Sequence, residues 1–243
     1  MTSKTVLITG AAHRIGAAIA RNLHDNNMDV IIHYYQSRAA AEELVADLNS
    51  KRGNSAHLIQ GDLLEFESYS NIIEQAYEFR SRLDVLVNNA SSFFPTPFGQ
   101  ITAAQWQNLI GVNMQAPLFL AQHAAEYLSA SNGCIINLTD IHALRPLKNH
   151  AVYSTAKAGL VMLTKAMAKE LGPAVRVNGL SLGAVLWPEN MDDEKQQHIL
   201  EQITLERIGD LTDVASAIRF LIDEATYMTG QILTIDGGRT LYS

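Results

Sequence analysis

Along the whole chain, short runs of β-branched and other apolar residues alternate with longer segments that repeat their apolar residues at helical spacing. The runs fall at residues 6–8, 30–32, 56–59, 85–87, 135–136, 175–177 and 232–235, and the longer segments include 39–51, 68–80, 102–128, 153–171 and 212–222. Near-continuous apolar runs suit strands buried on both faces, and a strand returned to its sheet through a helix lies parallel to its neighbour. The alternation predicts a doubly wound α/β fold with a seven-stranded parallel sheet and helices on both faces. Ligands of such sheets sit outside the carboxyl ends of the strands, so the residues after each run are read for function.

The chain has 243 residues, and α/β folds of this size commonly form one core, so a single domain over residues 1–243 is expected. A net charge of −7 without a basic stripe argues against nucleic acid or an anionic membrane surface as partner. No apolar stretch reaches membrane-spanning length, and neither signal peptide nor anchor is expected. Cys134 is the only cysteine and lies in the apolar run Cys134-Ile135-Ile136. A buried thiol in a reducing, cytoplasmic setting is the expectation. The eight histidines form no H-E-x-x-H spacing and no carboxylate cluster joins them, so no metal site is expected.

The first run leads into Thr9-Gly10-Ala11-Ala12-His13-Arg14-Ile15-Gly16, after which Ile15, Ala18, Ile19 and Leu23 continue at helical spacing. Gly10 permits a tight turn and Gly16 close packing of helix on sheet, while the helix N-terminus offers free N–H groups to a pyrophosphate. The segment resembles a nucleotide-phosphate loop, with Arg14 where a further glycine is usual. The helix dipole disfavours a cation in the first turn, so a nearby anion or electron-rich ring would account for Arg14; otherwise it is a surface arginine extended into water.

After the second run comes His33-Tyr34-Tyr35-Gln36-Ser37-Arg38, with no carboxylate for ribose hydroxyls. Hydroxyl, amide and guanidinium donors suit a 2′-phosphate, favouring NADPH over NADH, and Ser37 also fits a helix N-cap. Asp62, followed by Leu63, either accepts from an adenine amine or caps the next helix. Asn88-Asn89-Ala90 reads as a structural border of the cofactor site. Asn137-Leu138-Thr139-Asp140 closes the fifth run, and Tyr153 and Lys157 follow on one helix face. An ammonium beside a phenol lowers a pKa that starts near ~10, and the alternative is a solvated face. The irregular stretch 181–193 is a candidate substrate loop extending to about residue 203.

Read together, Thr9-Gly10 with Gly16, Asp62, Asn88-Asn89-Ala90, Asn113, Tyr153 with Lys157, and Asp236-Gly237-Gly238 resemble the short-chain dehydrogenase/reductase family over essentially the full chain. The resemblance implies that Tyr153 donates or accepts the proton and that Lys157 binds the nicotinamide ribose and lowers the Tyr153 pKa. It gives Asn113 the support of a proton-relay water. It places the cofactor against Gly10, Arg14, Ile15, Gly16, Tyr34, Tyr35, Gln36, Ser37, Asp62, Leu63, Asn89, Ala90, Tyr153, Lys157, Gly183 and Val185. Three positions depart from the family pattern: Arg14 replaces a glycine, Asp140 the usual serine and Leu182 a common proline. An ionised aspartate only accepts hydrogen bonds, so Asp140 suits a substrate with N–H groups or a ring nitrogen that takes a proton.

Within the family, the arginine-bearing loop, residues 33–37, the stretch Asn89-Ala90-Ser91-Ser92-Phe93-Phe94-Pro95-Thr96-Pro97, the Asp140, Tyr153, Lys157 spacing and Leu186-Trp187-Pro188-Glu189 resemble pteridine reductases. That similarity implies a pterin ring between Phe93 and the nicotinamide, Ser91 on the ring edge or a cofactor phosphate, and Arg14 touching both pyrophosphate and pterin. One of Phe93 and Phe94 is expected to pack as an ordinary loop residue. Trp187 is a pocket wall or a buried anchor, and His142 and His150 are taken as loop residues. Gln36 weakens the case for a 2′-phosphate, and Ser37 and Arg38 partly restore it. The expected activity is NADPH-dependent reduction of pterin, dihydropterin or dihydrofolate, with Asp140 and Tyr153 protonating a ring nitrogen. The alternatives are a ketone or 3-ketoacyl thioester reductase and a non-catalytic NADPH sensor. Ala121, Ala124, Ala158 and Ala166 are small enough for close helix contacts between subunits, and similar proteins suggest a homotetramer.

Overall fold

The computed structural model describes residues 3–187 and 191–242. Seven strands, β1 (Thr5–Ile8), β2 (Asp29–Tyr34), β3 (Ala56–Gln60), β4 (Val85–Asn88), β5 (Cys134–Asp140), β6 (Arg176–Leu182) and β7 (Ile232–Ile235), form one sheet. The order is β3-β2-β1-β4-β5-β6-β7 and every pairing is parallel. This is the Rossmann-like α/β architecture expected from the alternation. The chain winds outwards from β1 to β3, then returns to the other side of β1 at β4. The crevice between β1 and β4 is the topological switch point.

The helices are α1 (Arg14–Asp25), α2 (Arg38–Lys51), α3 (Ser68–Glu78), α4 (Ala103–Ile110), α5 (Ala116–Ala130), α6 (Ala151–Leu171), α7 (Asp193–Leu200) and α8 (Leu211–Asp223), of which α1, α2 and α8 cover one face of the sheet and α3, α5 and α6 the other. One core holds Ile19, Leu23, Val30, Ile32, Val87, Ile136, Leu180 and Ile218. The core on the opposite face holds Leu7, Ile31, Ile72, Leu86, Leu120, Ala124, Ile135 and Val177. Successive strand residues point to opposite faces, so one strand feeds both cores. Cys134 is buried with its thiol pKa pushed up to about 11 by desolvation. Among the described residues no helix is long and apolar enough to cross a membrane.

Three expectations are corrected. The segment 102–128 is not one helix: α4 ends at Ile110, a π-helical turn spans Gly111–Gln115, and α5 begins at Ala116. Pro117 has no N–H to give the Asn113 carbonyl, so the regular ladder cannot pass this point and the wider turn takes its place. The stretch 181–193 is less irregular than expected, because Ser181 and Leu182 complete β6 and α7 starts at Asp193, capped by Asp192. Finally, Ala121 and Ala124 are buried in the chain's own core and offer nothing to another subunit, whereas Ala158 is half-buried and Ala166 exposed.

Candidate active site

At the switch point lies a cleft of ≈ 490 Å³. Its floor is the loop between β1 and α1. Gly10 adopts φ +62°, and a Cβ there would lie 2.9 Å from the Ala90 Cα. At Gly16 a Cβ would lie 2.6 Å from the Gly10 carbonyl oxygen, so only glycine lets α1 press this closely on the loop. The His13 side chain does not cap α1, which leaves the N–H groups of its first turn without a side-chain partner at the cleft. Arg14 opens the helix at φ +51°, the left-handed region that favours glycine. The glycine missing from the loop pattern is thus missing where the backbone favours one.

Arg14, Ile15, Gly16, Tyr34, Tyr35, Gln36, Ser37, Asp62, Leu63, Asn89, Ala90 and Ser91 line the cleft together with Gly10. Asn89 Nδ2 donates to the Thr9 and Gly10 carbonyls at 2.8 and 3.0 Å, a structural role at its border. Asp62 Oδ1 accepts from Leu64 N–H at 2.9 Å and closes a short turn; α3 starts only at Ser68, so Asp62 does not cap a helix. Ser37 holds the N-cap position of α2 without a side-chain capping bond. Arg38 turns to Glu42 on its own helix, 2.8 Å away, and does not line the cleft. Gly183 and Val185 lie beyond β6: Gly183 packs against Asp236, Val185 is buried in the core, and neither lines the cleft. His33, not singled out in the sequence, is buried in β2, and its Nδ1 accepts the Gly10 N–H at 3.3 Å. Burial pulls its pKa down to about 4, so a neutral ring anchors the turn. A histidine inside an apolar strand, ending opposite a glycine loop, was the available signal.

Beside the cleft, β5, α6 and the π-helical turn bring four polar side chains together. Tyr153 Oη donates to Asp140 Oδ2 at 2.8 Å, and Asp140 Oδ1 accepts from His142 N–H at 2.8 Å. Lys157 Nζ donates to the Leu138 carbonyl at 2.9 Å. Tyr153 and Lys157 are both buried, so their helix face is not solvated. Asn113 gives its two amide protons to the Ser92 and Leu109 carbonyls, both at 2.9 Å, and accepts from Ser91 Oγ at 2.6 Å. The expected lowering of the phenol pKa is not found. Tyr153 is instead held far above the ordinary tyrosine range, first by burial and then by the charge and hydrogen bond of Asp140. Lys157 is pulled down to about 8 by its own burial, and its Nζ lies 5.8 Å from the Tyr153 ring centre.

Phe93 is 52 % exposed, stacked on His150 with centroids 4.7 Å apart and edge-on to Tyr153 at 4.8 Å. Phe94 instead packs with Leu109, Val152 and Tyr153, and is the loop residue of the pair. His150, taken as a loop residue, holds the N-cap position of α6 and belongs to the site through Phe93, which stacks on it and meets Tyr153 edge-on. His142 lies in the 3₁₀ turn Ile141–Ala143, its Nδ1 against the Arg145 carbonyl. Trp187 is half-buried and does not line the cleft, while Pro188 and Glu189 lie outside the described residues.

A family model for enoyl-(acyl carrier protein) reductase matches residues 10–240. Pteridine reductase 1 of Leishmania tarentolae is 34% identical, covering 99% of this chain and 97% of its own. A 3-oxoacyl-[acyl-carrier-protein] reductase of a Synechocystis species is also 34% identical, covering 100% and 99%. Glucose 1-dehydrogenase 2 of Bacillus subtilis is 30% identical, covering 100% and 96%.

Proposed function

This chain belongs to the short-chain dehydrogenase/reductase family, and on that premise we propose that it is an NADPH-dependent reductase of pterins, dihydropterins or dihydrofolate. The observation that carries the proposal is the Asp140 carboxylate, hydrogen-bonded to Tyr153 Oη at 2.8 Å where the family pattern has a serine hydroxyl. Both Asp140 oxygens already accept hydrogen bonds, and a carboxylate has none to give a ketone oxygen. A heterocycle with N–H groups finds an acceptor there, and its ring nitrogen finds a proton on Tyr153.

The cleft fits a dinucleotide: a Cβ-free approach at Gly10 and Gly16, an uncapped helix N-terminus, and a β2 end whose Tyr34, Tyr35, Gln36 and Ser37 include no carboxylate. When bound, NADPH supplies the hydride for a ring carbon. The protein does the rest. Burial and Asp140 hold the Tyr153 phenol in its protonated form, the form that has a proton to deliver. The Ser91–Asn113 bond fixes one wall, and the exposed Phe93 offers a flat face for stacking. Arg14 lies in the cleft lining, where it would serve pyrophosphate and heterocycle together.

The test is oxidation of NADPH by purified protein with dihydrobiopterin or dihydrofolate, and its absence would defeat the proposal. The second reading, reduction of ketones or 3-ketoacyl thioesters with a protonated Asp140, is favoured by the equally similar 3-oxoacyl relative. Faster turnover of acetoacetyl thioesters than of dihydropterins would select it. A non-catalytic NADPH sensor has no use for the Tyr153–Asp140 pair, and only tight cofactor binding without reduction of any substrate would favour it.

A further inference from the structure

The turn after β7 carries a guanidinium that the chemistry above leaves unused. Arg239 begins the 3₁₀ turn Arg239–Leu241 and is half-buried. Among the described residues its hydrogen bonds are made by its backbone alone, N–H to the Asp236 carbonyl at 3.1 Å and carbonyl from Tyr242 N–H at 3.3 Å. The five N–H donors of the side chain are unspent, which is costly for a partly desolvated cation. The turn itself is fixed. The Asp236 carboxylate accepts from Gly238 and Thr240 N–H at 2.9 and 2.7 Å, Leu205 N–H reaches the Gly237 carbonyl at 3.0 Å, and Arg145 donates to the Tyr242 carbonyl.

Sheet register sets where this turn begins. Asp140 pairs with Leu182, and Leu182 with Ile235, so the turn leaves β7 level with Asp140 and two strands away, about 10 Å across. Burial lowers the Arg239 pKa, while Asp140 and Asp236 oppose that with attraction. Among the described residues neither carboxylate is hydrogen-bonded to the guanidinium. Asp236 is committed to the turn, and Asp140 to Tyr153 and His142.

We propose that Arg239 receives an anion, a carboxylate or a phosphate, at the end of the side chain of the substrate whose ring meets Asp140 and Tyr153. The assignment rests on the pterin reading of the site. Two strand spacings separate the backbone of this turn from Asp140, which sets Arg239 to the side of the ring, towards its tail. The guanidinium fork matches either anion in a bidentate pair, and a neutral tail leaves it desolvated and unpaired.

The experiment measures kcat/KM with NADPH for dihydrofolate, dihydroneopterin phosphate and neutral dihydroneopterin. Wild type is compared with Arg239→Leu and Arg239→Lys, after circular dichroism melts have established that each variant folds; Arg239→Gln replaces the leucine variant if it does not. Arg239→Leu is expected to lower the preference for an anionic over the neutral tail about tenfold, mainly through KM, and Arg239→Lys to keep part of it. A loss confined to dihydrofolate identifies the carboxylate, and one confined to the phosphate ester identifies the phosphate. An unchanged preference overturns the assignment of Arg239 alone, as does an equal loss on all three substrates. Wild-type protein that reduces none of the three overturns the pterin reading and this assignment together.

Discussion

Two buried groups on one helix, Tyr153 and Lys157, are shifted in opposite senses, and each shift has a consequence. Tyr153→Phe leaves the ring in place and removes the only proton that Asp140 Oδ2 receives among the described residues. Turnover should fall about 10²–10⁴-fold with the NADPH dissociation constant within about twofold, and an unaltered kcat would exclude Tyr153 from proton delivery. Lys157 has a folded pKa of about 8 against an ordinary 10.5. Between those values the unfolded chain holds a proton that the folded chain has released, so the stability contributed by Lys157 rises with pH through this window, by up to about 1.4 kcal/mol per unit. Turnover should move the other way, falling as the ammonium is lost above about 8. Urea denaturation of wild type and Lys157→Met at pH 7 and 9.5 checks the first claim, since the wild-type advantage must grow with pH. A pH–rate profile checks the second. Individual residue types and their spacing were readable without coordinates here, but the direction of the Tyr153 shift was not. It depends on how much water each group loses, and that follows from packing.

At the scale of elements, strand runs and amphipathic helices announced themselves because each buries one apolar stripe or two apolar faces. Helix α7 did not, because none of its residues is buried and no apolar period marks it. The break between α4 and α5 also escaped, although Pro117 was its visible cause. That break has a use, since the π-helical turn brings Asn113 to Ser91 and Ser92. Pro117→Ala restores a donor for the Asn113 carbonyl and lets the turn tighten to α-helix. We expect kcat to fall about tenfold or more through displacement of Asn113, with stability changed by less than about 1 kcal/mol. A variant with normal kcat would mean that the turn is not needed there. The start of α1 gives the converse case. Arg14 holds a left-handed backbone at a cost of about 1 kcal/mol, so Arg14→Gly should gain up to about that much stability, less the entropy that glycine adds to the unfolded chain. The same change should raise the pterin KM, and an unchanged KM would return Arg14 to the role of a surface residue.

Across the whole molecule, a buried polar relay on the face of the second core ties the middle of the sheet to the helix that covers it. Asn88 Nδ2 donates to Asn137 Oδ1 at 2.8 Å, Asn137 Nδ2 to Thr164 Oγ1 at 2.9 Å, and Thr164 Oγ1 to the Leu160 carbonyl at 2.8 Å. This ties β4, β5 and α6 together directly behind Lys157, so the helix that carries the chemistry cannot shift without unpairing buried amides. The cleft takes its lining from the ends of β1, β2, β3 and β4 and from α4, on both sides of the switch point. A dinucleotide bound there touches both halves of the sheet and should stabilise them as one unit. At a hundred times its dissociation constant, a ligand that binds only the folded chain adds about 2.7 kcal/mol. At about 2–4 °C per kcal/mol for a chain of this size, NADPH should raise Tm by about 5–10 °C in a single transition. NADH at the same concentration should do less, because residues 33–38 place no carboxylate at the β2 end for its ribose hydroxyls. Equal shifts for the two cofactors in a thermal melt would overturn the preference for NADPH. A shift confined to one of two resolved transitions would mean that the halves of the sheet are stabilised separately.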